Sequence, residues 1–388
     1  MIGLILPTAG RAVWVSEACR EGIEAALALA REDGDRWADR VRLVPAAATD
    51  PDAARAEAWR LIASEGARVL IGSALSEYCL AASEAAEALG ALYWEVASVA
   101  DEVTERGFRT MFRLNANARS FAAASVALVV DVLPAIVGSV ERLAVAYERT
   151  ALGTTVGRAV AAIAKARGLA VVAEEPFRTT GSDPSDLPAL VARIGAAGPQ
   201  ALLATAVGTD AATIVREVAR QRIPLKALVG AAGGWGGLPL RRELGALLDG
   251  VFSVNNARAW RLAPDGLTPA ARVELERYRA SCAARRLIEP LADRDLAFVG
   301  MRLLVGSVAP AAGSLALDDL RRAALALDVP DGGTVIGMGV RFDASGHNTR
   351  GRPVAMQWQA GTLVTVDPVE LATHPIMEPS RTPADRAT

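Results

Sequence analysis

The sequence is poor in the residues that most active-site chemistry requires. Of 388 residues only two are histidines, His347 and His374, and three are cysteines, Cys19, Cys79 and Cys282. The cysteines are scattered with no CxxC pair, so metal-ligand spacing is absent. Cys19 and Cys79 fall inside expected helices, which reads as buried free thiols. With both histidines near the C-terminus, a serine nucleophile such as Ser73 or Ser76 lacks its usual base. No GxxxxGK[ST], HExxH, GxSxG or EF-hand spacing occurs, so no catalytic residue and no enzymatic role is assigned. Lysine is confined to Lys165 and Lys226, and arginine carries the positive charge. The net charge is −2 with no basic tract, which argues against a nucleic-acid partner. No apolar run is expected to reach the roughly 20 residues that span a bilayer. The chain opens directly on MIGLILP with no charged n-region, which leaves a removed leader or a cytosolic protein both open.

What is present is a hydrophobic majority, 52% against 22% charged, enough for a sizeable core in two or three domains. Strands are expected at Ile2–Leu6, Val41–Val44, Val69–Ile71 and Leu92–Trp94. Between them lie helices at Trp14–Arg31, from the Asp50-Pro51 start, and at Ser76–Leu89. The alternation restarts with strands at Leu143–Tyr147, Leu169–Ala173, Ala201–Ala206 and Ala227–Val229; Asp210 is the expected cap of the third helix there. A strand at Val251–Val254 and helices at Pro269–Arg286, Asp293–Val308 and Ala316–Leu327 follow. Short strands at Val335–Met338, Val354–Gln359 and Leu363–Val366 end the chain, with Phe342–Pro353 a polar loop and the last dozen residues frayed. Two runs of strand–helix alternation indicate an α/β fold of two similar doubly wound lobes with mainly parallel sheets.

Ligands of open α/β sheets sit beyond the carboxyl ends of the strands. Here those ends are small and polar: Gly72-Ser73-Ala74-Leu75-Ser76 after the third strand, and Ala97-Ser98-Val99 after the fourth. Ser76 reads equally as a helix N-cap or as a contact for an anion at the helix N-terminus. Tyr93 and Trp94 alternate on one strand, so one is expected to face the core and the other a cleft or the surface. Glu95 is either solvated at the sheet edge or a partner for a cationic or hydrogen-bond-donating ligand. The run GAAGGWGG at 230–237 is a tight loop and no dinucleotide fingerprint.

Several pieces together resemble the type I periplasmic solute-binding proteins of branched-chain amino acid uptake. They are IGLILPTAG at the start, the Asp-Pro at 50–51, VLIGSALS at 69–76, LYWEVASVADEVTERGFRTMFRL at 92–114, VAYERTALGTTVG at 145–157 and the closing FDASGHNTRGRPVAMQWQAGTLVTVDP. The resemblance covers nearly the whole chain. It implies two lobes joined by three crossovers, 1–116 with 256–331 and 117–255 with 332–388, closing on a small molecule. It implies a periplasmic location and delivery to an ABC-type membrane permease. It also implies no cofactor, no membrane insertion, and a monomer or weak dimer.

The same resemblance places a carboxylate-binding hydroxyl on Ser76, with Glu77 beside it, further contacts on Ala97, Ser98 and Val99, and a lining aromatic on Trp14. The second lobe departs from the family pattern. Leu152 stands where an aromatic precedes glycine, Val207 or Gly208 where another aromatic is expected, and Ala232 where an acid meets the ligand's ammonium. Either Glu95 or Glu148 takes that acidic role, or the ligand has no α-ammonium. The leading expectation is an uptake binding protein for an amino acid, an amino-acid derivative, or a related carboxylate or amide. The alternative is a cytosolic ligand-sensing regulator of the same fold.

Overall fold

The computed structural model describes residues 1–10, 13–179, 186–287 and 291–379. The chain divides into two compact units. The first comprises Met1–Asn117, Arg258–Trp260 and Pro264–Gly351; the second comprises Ala118–Ala257, Arg261–Ala263 and Arg352–Thr388. The stretch 332–351, expected in the second lobe, therefore packs in the first unit. Its hydrogen bonds explain why: the Asn348 side chain donates from Nδ2 to the Leu114 carbonyl at 2.9 Å, and the Arg113 backbone N–H donates to the Gly346 carbonyl at 2.8 Å. Most of the frayed tail expected at the C-terminus lies outside the described residues.

The first unit carries β1 (Ile2–Ile5), α1 (Val13–Glu32), α2 (Arg36–Arg40), β2 (Leu43–Pro45), α3 (Pro51–Ala63), β3 (Val69–Gly72), α4 (Ser76–Leu89), β4 (Leu92–Glu95), α5 (Glu102–Glu105) and β5 (Met111–Arg113). Its sheet has the order β2-β1-β3-β4-β5, with every pairing parallel. Asp50 caps α3, accepting from Ala53 N–H at 2.8 Å, and Pro51 opens the helix. Three-residue β5 escaped the sequence reading because so short a run carries no period. β1, β3 and β4 are buried at every position, as a sheet covered on both faces requires. Tyr93 and Trp94 are accordingly both fully buried, and neither faces a surface.

The second unit carries α6 (Ala118–Ala127), α7 (Pro134–Val137), β6 (Arg142–Glu148), α8 (Ala151–Ala166), β7 (Ala170–Phe177), α9 (Asp186–Ala196), β8 (Ala201–Thr205), α10 (Thr209–Arg220), β9 (Ala227–Ala231), α11 (Leu238–Leu244) and β10 (Phe252–Asn255). The chain then supplies α12 (Pro269–Ala284), α13 (Ala292–Leu303), α14 (Ala309–Ala312) and α15 (Leu317–Leu325) to the first unit. It returns with β11 (Val354–Gln359) and β12 (Thr362–Asp367). The second sheet runs β12-β11-β10-β9-β8-β6-β7, parallel except where β11 pairs with β10 and β12.

Three expectations need correcting. Val335–Met338 is a turn closed by Gly337 N–H on the Thr334 carbonyl at 2.9 Å, with Gly337 at φ 72°. Gly208, not Asp210, occupies the cap position of α10, and Asp210 is buried in the first turn. Two continuous helical stretches, Ala118–Val137 and Ala292–Ala312, are long and apolar enough to cross a bilayer by length and composition. The second of them is largely buried inside its unit, where α13 lies against α1. That contact is close because Gly22 has no side chain: a Cβ there would stand 2.1 Å from the Arg294 carbonyl oxygen.

Candidate functional site

The carboxyl ends of β3 and β4 lie side by side in the first sheet, with Gly72 opposite Glu95. Glu95 is fully buried, which overturns its reading as a solvated residue at the sheet edge. One carboxylate oxygen accepts from the N–H groups of Ala97 and Ser98, both at 2.9 Å, and from Ala74 N–H at 3.4 Å. The other accepts from Ser73 N–H and from the Ser73 hydroxyl at 3.3 Å. Both oxygens therefore serve the protein's own backbone. Burial pushes the Glu95 carboxyl above the ordinary range, while the N–H groups of Ser98, Ala97 and Ser73 pull it back toward the charged form. The adjacent Cys79 thiol is pushed well up, first by burial and then by the Glu95 charge. Cys79, like Cys19 and Cys282, is a buried free thiol.

Ser76 is the first residue of α4; the cap position is Leu75, which makes no side-chain bond. The Ser76 hydroxyl instead accepts from Val99 N–H at 3.3 Å and Ala100 N–H at 3.2 Å. It is thus a tie between two turns. Behind the second turn Arg113 is fully buried and donates to the carbonyls of Val99 at 3.3 Å and Ala100 at 2.5 Å, and to Thr104 Oγ1 at 3.0 Å. Asn115 holds the Ala97 carbonyl through Nδ2 at 2.7 Å, while its Oδ1 has no partner among the described residues. The turn 97–100 is gripped from α4 through Ser76, from β5 through Arg113 and from its own strand through Glu95. Glu77 lies in the first turn of α4, and Trp14 is half-buried in the first turn of α1.

In the second unit Glu148 ends β6 and is buried. It accepts from Val207 N–H at 2.5 Å, in the turn after β8. Gly208 follows in the left-handed region, at φ 66°. Leu152 is half-buried in the first turn of α8, which Thr150 caps by accepting from Gly153 N–H at 3.0 Å. Ala232 is buried with φ 60°, its N–H on the Val254 carbonyl at 3.0 Å. The GAAGGWGG loop wraps a buried Trp235, against which a Cβ on Gly230 would stand at 1.9 Å.

The residues singled out in the sequence therefore fall at strand carboxyl ends in their own units. Ser76, Glu95, Ala97, Ser98 and Val99 form one bonded cluster in the first. Glu148 and Val207 form another in the second. Arg113 and Asn115 belong to the first cluster but were missed, and Ser73, named in the polar turn after the third strand, was given no binding role. An arginine ending a short apolar strand, in MFRLN, was the available signal. Among the described residues no group of histidines, cysteines and acids could hold a metal ion.

The model of the family described as periplasmic binding protein matches residues 1–362. A "Leu/Ile/Val-binding protein homolog 8" from Brucella abortus is 29% identical over 375 residues, 95% of this chain and 91% of the relative. Homolog 7 from the same organism is 27% identical over 383 residues, 97% and 94% of the two chains. Among solved structures, the leucine-binding protein LivK of Thermotoga maritima has a TM-score of 0.77 at 18% identity, covering 94% of this chain and 97% of that one. LivJ of Streptococcus pneumoniae, in complex with isoleucine, has 0.75 at 16% identity, covering 95% and 99%. A solute-binding protein of an R. palustris ABC transporter, in complex with benzoate, has 0.73 at 19% identity, covering 98% of both chains. With the family model spanning almost its whole length, the chain belongs to the periplasmic binding protein family.

Proposed function

We propose that this chain is the extracytoplasmic solute-binding component of an ABC-type uptake transporter, taking a small polar ligand at the strand-end turns. The observation that carries the reading is the bonded cluster of the first unit. Two turns at adjacent strand ends are locked to each other by Ser76 and Glu95, a rigid binding wall of hydroxyl and main-chain groups. Relatives named for leucine, isoleucine and valine, and neighbours holding isoleucine or benzoate, favour small carboxylates as the ligand class. Leu152, Val207, Gly208 and Ala232 of the second unit are the proposed further contacts, with Trp14 of the first. Glu77 belongs to the same helix start as Ser76.

Glu95 and Glu148 were candidates for pairing an ammonium. Glu95 gives both oxygens to backbone N–H groups, which supports a ligand recognised without it. The relatives are binding proteins and transporter components, so a cytosolic sensor draws no support from them. A periplasmic location, a permease partner, a monomeric or weakly dimeric state and binding without turnover complete the proposal.

Thermal denaturation with a panel of amino acids, amides, ureas and small carboxylates tests it. A ligand that binds only the folded state at 100 times its dissociation constant stabilises by roughly 2.7 kcal/mol and raises the melting temperature. No shift with any member would sink the binding reading. A ligand chemically altered after long incubation would count against binding without turnover.

A further inference from the structure

We propose that Glu95 is a positioning residue for ligand binding: its single carboxylate fixes the turn at 73–74 against the turn at 97–98, and so sets where Ser76 and the Ala97–Val99 backbone stand. The inference rests on the binding reading. Four backbone N–H groups and one hydroxyl, from two turns more than twenty residues apart in sequence, converge on this one side chain. None of those four N–H groups belongs to a strand ladder or helix, so without Glu95 those of the buried residues Ser73, Ala97 and Ser98 would be left with no acceptor. A carboxylate suits the task because it only accepts; an amide of the same shape would turn N–H groups toward N–H groups. With both oxygens occupied and the side chain fully buried, Glu95 acts on a ligand through the turns and not by contact. The Ser76 hydroxyl repeats the tie one step along, on Val99 and Ala100. The second unit has its own version, where Glu148 at the end of β6 holds the turn after β8 through Val207 N–H.

The test is Glu95→Gln, with leucine, isoleucine, valine, acetamide, urea and benzoate as probes in titration calorimetry far below the melting temperature. The probe that binds the native chain best should bind the folded variant roughly tenfold or more weakly. A residue that only adds stability would lower the melting temperature and leave that dissociation constant unchanged, which overturns the proposal but not the binding reading. If neither these six probes nor any other member of the thermal-denaturation panel binds the native chain, both fall together. Should the variant not fold, hydrogen exchange on the native chain decides. The Ala97 and Ser98 amides are expected to exchange as slowly as those of Leu92–Trp94, and exchange at open-loop rates overturns the assignment.

Discussion

Nη2 of Arg113 stands 3.1 Å from Nδ1 of His347, two residues far apart in the chain and adjacent in the first unit. A guanidinium has no acceptor, so this ring nitrogen takes the hydrogen bond and the imidazole is neutral. Burial, and then the Arg113 charge, push His347 down from 6.5 to about 4. In the unfolded chain the ordinary value returns, so between pH 6.5 and 4 the unfolded state binds the extra proton. Stability is therefore held above pH 6.5 and lost as pH falls, by at most about 3 kcal/mol, less for the ring's partial exposure. His347→Gln should show a shallower loss of denaturation midpoint between pH 7 and 4. Identical acid limbs in both proteins would discard the account.

Asp295 behaves with the opposite sign. Its carboxylate accepts from Ala259 N–H and Tyr278 OH, both at 2.8 Å, and burial pushes it from 3.8 up to about 6 despite nearby Arg294 and Arg258. Here the folded state holds a proton that the unfolded state has released, so stability falls as pH rises through this window. Removing the side chain is still harmful, because both donors lose their acceptor. Asp295→Ala should lose about 2–4 kcal/mol at pH 7 in urea denaturation, and its profile should no longer decline between pH 4 and 6.

Ser76→Ala is expected to do two things at once. It strands the Val99 and Ala100 N–H groups, lowering the stability of the unliganded protein by roughly 1–3 kcal/mol. It also weakens ligand binding, because the turn it ties is part of the proposed wall. Calorimetric melting without and with ligand separates the effects. A loss confined to the liganded state would mean that the serine meets the ligand directly and ties nothing.

Gly22→Ala probes the close contact of α1 with α13 in the first unit. The new methyl would meet the main chain of α13 at the Arg294 carbonyl, which has no rotamer by which to yield. A loss of roughly 1–3 kcal/mol or more is expected from chemical denaturation, against the small gain that alanine brings to an open helix. A neutral result would show that α1 and α13 can part without cost.

Much of the fold could be read from the chain because its signals are local. Apolar runs bounded by glycine and the Asp50-Pro51 start mark elements through neighbours in sequence. What failed was long-range. Nothing near Glu95 in sequence announces that Ser73 and Ala74 will bring N–H groups to it, so an acid at a strand end read either as solvated or as a partner for a ligand. Nothing near Ser76 reveals that Val99 and Ala100 use its hydroxyl, so it read equally as a helix cap or as an anion contact. Residues 332–351 were placed by family resemblance alone, while their location follows from Asn348 reaching Leu114. The site positions came from family likeness and local chemistry, and their bonding came only from the folded chain.

β5 is the outer strand of the five-stranded sheet, and its exposed side is covered by the segment around Gly346 and Asn348. A chain still emerging from the ribosome has made β1 to β5 long before that cover exists. Until residue 348 is available, Arg113 keeps an unmatched N–H and carbonyl on an open sheet margin that can recruit a second chain. The N-terminal unit is therefore among the last parts to be completed. Truncations that stop short of residue 346 should yield aggregating fragments in place of an isolated first unit.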